Sequence, residues 1–258
     1  MFRIAFALML GVLATAGALA ADPAAALSAV STAGEQRMLS QRIVKAYSQV
    51  GLDVMPSVAT AQMNESAARF EANLAALKPI AAAAADIQRA YDDLVAQWAP
   101  FRSAMAKAAT RDAALALSRD SEKLLAAAER LTQAIEDSGA RGTSRLVNLA
   151  GRQRMLSQRL AKAYMLNSWG VDSSALRAEM ETASHEFSGG LNALLARPEN
   201  TSEIRLELEE VALQWEWLHA AIAAEGAVSY RLVVAEAADS ILVATDRVTG
   251  LYQQLGRR

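Results

Sequence analysis

One string of fifteen residues occurs twice in this chain. Ala33-Gly34-Glu35-Gln36-Arg37-Met38-Leu39-Ser40-Gln41-Arg42-Ile43-Val44-Lys45-Ala46-Tyr47 returns as Ala150-Gly151-Arg152-Gln153-Arg154-Met155-Leu156-Ser157-Gln158-Arg159-Leu160-Ala161-Lys162-Ala163-Tyr164, with twelve identical positions at an offset of 117. The offset persists beyond the string. Met63 aligns with Met180, Phe70 with Phe187, Gln97-Trp98 with Gln214-Trp215, and Glu129-Arg130-Leu131-Thr132 with Asp246-Arg247-Val248-Thr249. A period of this size is a domain duplication, since solenoid repeats are about 20–50 residues long. The fold must therefore be a unit built twice, with boundaries at 22–138 and 139–258.

Each unit reads as four helices. In the first copy they fall near 25–50, 58–78, 81–107 and 112–138. In the second they fall near 143–168, 174–196, 201–224 and 228–255. Gly51 to Pro56, Pro79, Gly170, Pro198 and Gly226 break the pattern between them. Pro100 lies inside a helix and predicts a kink, not a boundary. Few aromatics (5%) and abundant Ala and Leu favour helix over sheet. The expected class is all-α: two tandem up-down-up-down four-helix bundles forming a pseudo-symmetric pair.

Residues 1–20 read as an export signal. Arg3 is followed by an apolar run ending in Ala18-Leu19-Ala20, an A-x-A cleavage pattern. The alternative is an uncleaved anchor, because the run is just long enough to span a bilayer. Cleavage would give a periplasmic protein with no membrane insertion afterwards.

Composition removes several chemistries. With no Cys there is no disulfide, thiolate metal site or cysteine nucleophile. A net charge of −2 offers no general attraction to nucleic acid. His185 and His219 are unduplicated, their counterparts being Ala68 and Arg102, and they read as surface or core histidines. No metal site, cofactor or catalytic constellation is expected, so the chain is not read as an enzyme. Trp98 and Trp215 read as core, with Trp217 added to the same cluster. Ser121-Glu122 and Asn200-Thr201-Ser202-Glu203 read as helix-start or helix-surface chemistry.

The shared string has two faces. At 100° per residue, Leu39, Ile43, Ala46, Tyr47 and Val50 form the stripe buried in the unit's own core. Ala33, Gly34, Arg37, Gln41, Val44 and Ser48 lie on the other face, matched by Ala150, Gly151, Arg154, Gln158, Ala161 and Met165. Small residues there let a second helix approach. A guanidinium in that place offers a planar fork suited to carboxylate or nitrate, with Gln supplying neutral hydrogen bonds. Four antiparallel helices return the chain to its starting end. The two first helices can thus lie parallel about a pseudo-twofold axis, with Arg37 and Arg154 converging on it. The alternative is that both arginines pair with protein carboxylates.

Ala-Gly-x-Gln-Arg-Met-Leu-Ser-Gln-Arg followed by Lys-Ala-Tyr resembles the signature of the PilJ-type domain, the N-terminal sensory domain of type IV pilus methyl-accepting chemotaxis transducers. It is similar to the periplasmic domain of nitrate/nitrite sensor kinases, where an anion sits between the first helices of two subunits. The resemblance implies Arg37 and Arg154 as ligand-binding residues, flanked by Gly34 and Gly151, with Gln41 and Gln158 on the same face. Nitrate sensors usually carry Gln-Ser-Tyr-Arg after Arg-Met. Leu39-Ser40-Gln41-Arg42 here is closer to the pilus-transducer type. The expected function is a periplasmic sensor or binding protein for a small anion, nitrate or nitrite first. A membrane sensor, transducer or transporter would read the bound state. The alternative is an interaction module for a pilus, chemotaxis or transport system. The family normally continues into a membrane helix and a signalling module, so this chain is expected to bind and present.

Overall fold

A computed structural model describes residues 23–139, 143–171, 174–224 and 230–256. The export-signal reading falls on residues 1–22, outside the described residues, as do most of the linker at 140–142 and Gly226. Eight helices make up the described chain: α1 Pro23–Gly51, α2 Pro56–Ala81, α3 Ala85–Met105, α4 Arg111–Gly139, α5 Thr143–Ser168, α6 Ser174–Leu195, α7 Ser202–Ala223 and α8 Tyr230–Leu255. The expected all-α architecture of two bundles holds, with ends within a few residues of those read from the sequence. Pro79 does not break the chain: α2 continues through it to Ala81. Proline lacks only its own amide donor, so the residues after it can still continue the helix. α3 likewise runs through Pro100 without a boundary.

Each bundle closes on an aromatic pair. Phe70 stacks on Trp98 at 4.1 Å, and Phe187 on Trp215 at 4.2 Å. Such a pair adds about 0.5–1.5 kcal/mol beyond the area it buries. The turn after each first helix also repeats. Gly170 has a φ of 81°, and its counterpart Asp53 has a φ of 57°. Both are left-handed, which glycine and aspartate tolerate better than branched residues. Thr201 caps α7 by accepting from the Ile204 amide at 3.2 Å, a contact worth about 1 kcal/mol.

Among the described residues the most extensive helix pairing joins α1 to α5. Leu27 and Thr143 meet beside Gly256 at one end, and Gly51 lies against Trp169 at the other. The two helices therefore run parallel and in register, as a pseudo-twofold axis between them requires. α1 is enclosed on almost every side from Ala33 to Gln49. One flank meets its own bundle, and the other meets the second bundle.

Trp217 departs from expectation. It does not join Trp215 in the core but is 64% exposed. Two residues along a helix turn a side chain by about 200°, so both cannot face the same core. Ser121 also departs: it is fully buried inside α4, and its hydroxyl donates to the Ser118 carbonyl.

Candidate functional site

Arg37 and Arg154 meet at the α1–α5 interface. Both are buried, Arg37 at 1% exposure and Arg154 at 3%. Each folds back over a glycine three residues earlier in its helix. A Cβ on Gly34 would lie 2.9 Å from Nη2 of Arg37. A Cβ on Gly151 would lie 3.2 Å from Nη2 of Arg154 and 3.7 Å from Nη2 of Arg37. The glycines thus make room for the guanidinium groups, and Gly151 makes room for both.

Each arginine also has a carboxylate. Arg37 Nη1 donates to Glu129 at 2.5 Å, and Arg154 Nη1 donates to Asp246 at 2.6 Å. These acids occupy matching positions in α4 and α8. The alternative expectation, pairing with protein carboxylates, is therefore met at one nitrogen of each guanidinium. Glu129 is shared, since Arg152 Nη1 reaches it at 3.3 Å and Arg152 Nη2 donates to Glu186 at 3.0 Å.

The two halves then diverge. Nη2 of Arg37 donates to Asn148 Oδ1 at 2.7 Å, while Asn148 Nδ2 donates to Glu136. Arg37 Nε donates to the Gly34 carbonyl at 3.3 Å. All three edges of Arg37 are thus engaged. Arg154 has no such closure: its Nε and Nη2 are buried donors without an acceptor. The counterpart of Asn148 in the first copy is Ser31. Its hydroxyl stands closer to its own backbone than an amide oxygen does, and it makes no bond to Arg154.

Burial holds the Arg37 guanidinium below its ordinary pKa. Glu129 opposes that, and the positive charges of Arg152 and Arg154 add to it. The site is a pair of cations held together by flanking acids, with donors left over on one side.

The glutamines expected nearby have other work. Gln41 Nε2 donates to the Ser40 hydroxyl and, at 3.4 Å, to the Ser121 carbonyl in α4. Gln158 Nε2 donates to the equivalent carbonyl, that of Ala238 in α8, at 2.9 Å. Neither amide nitrogen is directed at the guanidinium pair. Each ties a first helix to the last helix of its own bundle.

Two turns further along, the string places a second charged layer. Lys45 is wholly buried and donates to Asp239 of the opposite module at 2.5 Å. Lys162, also wholly buried, pairs with Glu122 of the opposite module at 2.6 Å and with Glu179 at 2.7 Å. Glu122 and Asp239 are counterparts at the 117-residue offset. The pairs are therefore reciprocal, each lysine reaching across the axis to the other copy's last helix. Burial pushes the Lys45 ammonium below its ordinary pKa, with Asp239 opposing.

Sequence reasoning missed these acids. A signal was present, because Glu129/Asp246 and Glu122/Asp239 each retain a carboxylate across the copies. His185 and His219 are both exposed, and the His219 ring lies 5.8 Å from that of Trp215. Among the described residues no helix is long and apolar enough to cross a membrane.

No curated protein and no solved structure shows significant similarity to the chain. A family description does match it: the N-terminal domain of type IV pili methyl-accepting chemotaxis transducers, over residues 24–131 and again over 124–240. That domain is a non-catalytic sensory or interaction module, typically periplasmic, working with membrane signalling proteins. The paired bundles, the twice-written string and these two matches together make the chain a member of the PilJ family, carrying the domain in tandem.

Proposed function

We propose that the protein is a periplasmic sensory module that binds one small planar oxyanion between α1 and α5. A membrane protein then reads the bound state. The observation that carries this reading is Arg154, whose buried Nε and Nη2 lack acceptors beside Nη2 of Arg37. A buried donor left unmet costs about 1–3 kcal/mol, and more when charged. An oxygen of nitrate, nitrite or a carboxylate would remove that cost, and the forked donor geometry suits it. Asp246 is 66% exposed, so it can swing aside as the anion enters. Asn148 already serves Arg37, which favours one anion per chain on the Arg154 side.

Calorimetric titration with nitrate and with nitrite tests this. The expected result is one saturable site per chain, at least about tenfold weaker in Arg154→Ala. Asn148→Ser would release Nη2 of Arg37 and strengthen binding. Absence of binding by either anion, or unchanged binding in Arg154→Ala, overturns the assignment. N-terminal sequencing of the exported protein tests the compartment: Ala21 should be the first residue.

A second reading, an interaction module without a ligand, draws on Glu129 and Asp246 and on the outer face of α7. Leu206, Leu213 and Trp217 are exposed and line one stripe of that helix. The stripe lies opposite its core residues Ile204, Leu208, Val211, Trp215 and Leu218. The first copy has Arg89, Ala96 and Pro100 at those places. Exposed Glu203, Glu209, Glu210 and Glu216 flank the stripe. Their charge fits a partner helix with an apolar seam bordered by Lys and Arg, and opposes a second copy of the same face.

A further inference from the structure

We propose that Arg42 and Lys45 form a second binding site for a carboxylate, one layer below the arginine pair and independent of it. The reasoning comes from comparing the two halves of the lower charged layer. In the second copy the layer is neutral and closed. Arg159 Nη2 donates to Glu122 at 2.7 Å and Arg159 Nε to Glu179 at 3.1 Å. Lys162 pairs with the same two acids. Two cations thus meet two carboxylates.

The first copy differs at both acids. Gln62 stands where the second copy has Glu179, and Asp239 where the first module supplies Glu122. The first change removes a charge. The second shortens an acid by one methylene. Asp239 therefore spends Oδ1 on Lys45 and Oδ2 on Gln62 Nε2, the latter at 2.9 Å, and reaches no further. Arg42 is left with no hydrogen bond or ion pair among the described residues. Its Nε is buried without an acceptor, and Gln62 Oε1 is buried without a donor. The residue as a whole is partly exposed, so the unpaired fork can be reached from solvent.

Two cations facing one carboxylate leave one positive charge uncompensated. The ligand class follows from the other half, where the same Arg–Lys pair holds a carboxylate, that of Glu179. An external carboxylate arriving at Arg42 would accept from its fork in the way Glu179 accepts from Arg159. Gln62 would turn its amide toward the newcomer, giving Oε1 up to solvent. The carboxylate has two sources: a small free acid, or an Asp or Glu side chain of a partner protein.

The resonance of the Arg42 Nε–H group in a nitrogen–proton spectrum reads occupancy directly. The probes are acetate and, separately, an end-blocked Ala-Glu-Ala peptide, each against sodium chloride at equal ionic strength. A saturable shift is expected with a carboxylate and not with chloride, and the tighter probe identifies the source. Gln62→Glu rebuilds the closed arrangement, so it should raise the melting temperature and bind the probe about tenfold more weakly. Arg154→Ala should respond as wild type, which separates this site from the upper one whether or not nitrate binds there. Equal shifts in wild type and Gln62→Glu, an equal shift with chloride, or loss of the response in Arg154→Ala would overturn the proposal.

Discussion

Arg37 and Arg154 reach the same glycine from two different helices. A side chain on Gly151 would begin 3.7 Å from Nη2 of the first and 3.2 Å from Nη2 of the second. A methyl group there crowds Arg154 by a few tenths of an ångström, and the flexible guanidinium can give way. Gly151→Ala should therefore fold normally, helped by the higher helix propensity of Ala, about 1 kcal/mol. Anion affinity should nonetheless fall several-fold, because the donors move. Gly34→Ala presses harder, with Arg37 Nη2 only 2.9 Å away. Paired denaturation and titration curves separate the two effects.

The lower layer gives an asymmetric mutational pattern. Asp239→Ala strands Lys45, whose side chain is wholly buried. Lys45→Met leaves Asp239 with its bond from Gln62 and, at 25% exposure, open to hydration. Breaking a buried pair from the exposed side should cost about 3–5 kcal/mol, and from the buried side clearly less. Urea denaturation of the two variants should rank them in that order. The reverse order would mean that Lys45 sheds its proton at little cost.

Tyr252 supplies an alkaline limit. Its hydroxyl donates to Asn200 Oδ1 at 2.6 Å, and burial pushes its pKa up to about 12. The unfolded chain loses this proton near pH 10, while the folded chain keeps it. The contribution is thus whole below pH 10 and is lost as pH rises toward 12. Between those values stability should fall with a slope that Tyr252→Phe flattens. The variant is also less stable at neutral pH, because Asn200 loses a donor. Melting curves from pH 9 to 12 measure both.

Trp217→Glu should leave the fold alone. A substitution on an exposed face ordinarily changes stability by less than about 0.5 kcal/mol. The expected loss is in binding to the partner proposed for this stripe, with Ala96→Glu, at the place that Leu213 takes in the second copy, as the control. Equal partner binding by wild type and Trp217→Glu would remove the α7 stripe from the interaction reading.

The helices were legible because their apolar spacing and their breakers are local features. The parallel docking of α1 on α5 was legible for a different reason. A face of Ala, Gly, Gln and a single Arg is neither core nor solvated surface, so it had to meet something. What stayed hidden was the identity of the polar partners. Glu122 reads as a surface acid along its own helix, and only the opposite module makes it the partner of Lys162. Trp217 was misplaced by proximity in sequence to Trp215, where the turn of the helix decides. Asn148 gave no signal, because its counterpart is Ser31 and a repeat comparison discards unmatched positions.

Joining the two modules in one chain has a consequence for how such a protein can change over time. In a dimer of identical subunits, any residue near the axis appears on both sides, and a mutation alters both at once. Assembly also fades on dilution. A tandem chain escapes both constraints, since its halves meet at an effective concentration set by the short connection. Asn148 against Ser31, Gln62 against Glu179 and Trp217 against Pro100 are differences that no homodimer could carry. The duplication thus lets the two halves of a once symmetric arrangement differ, each free to change without the other.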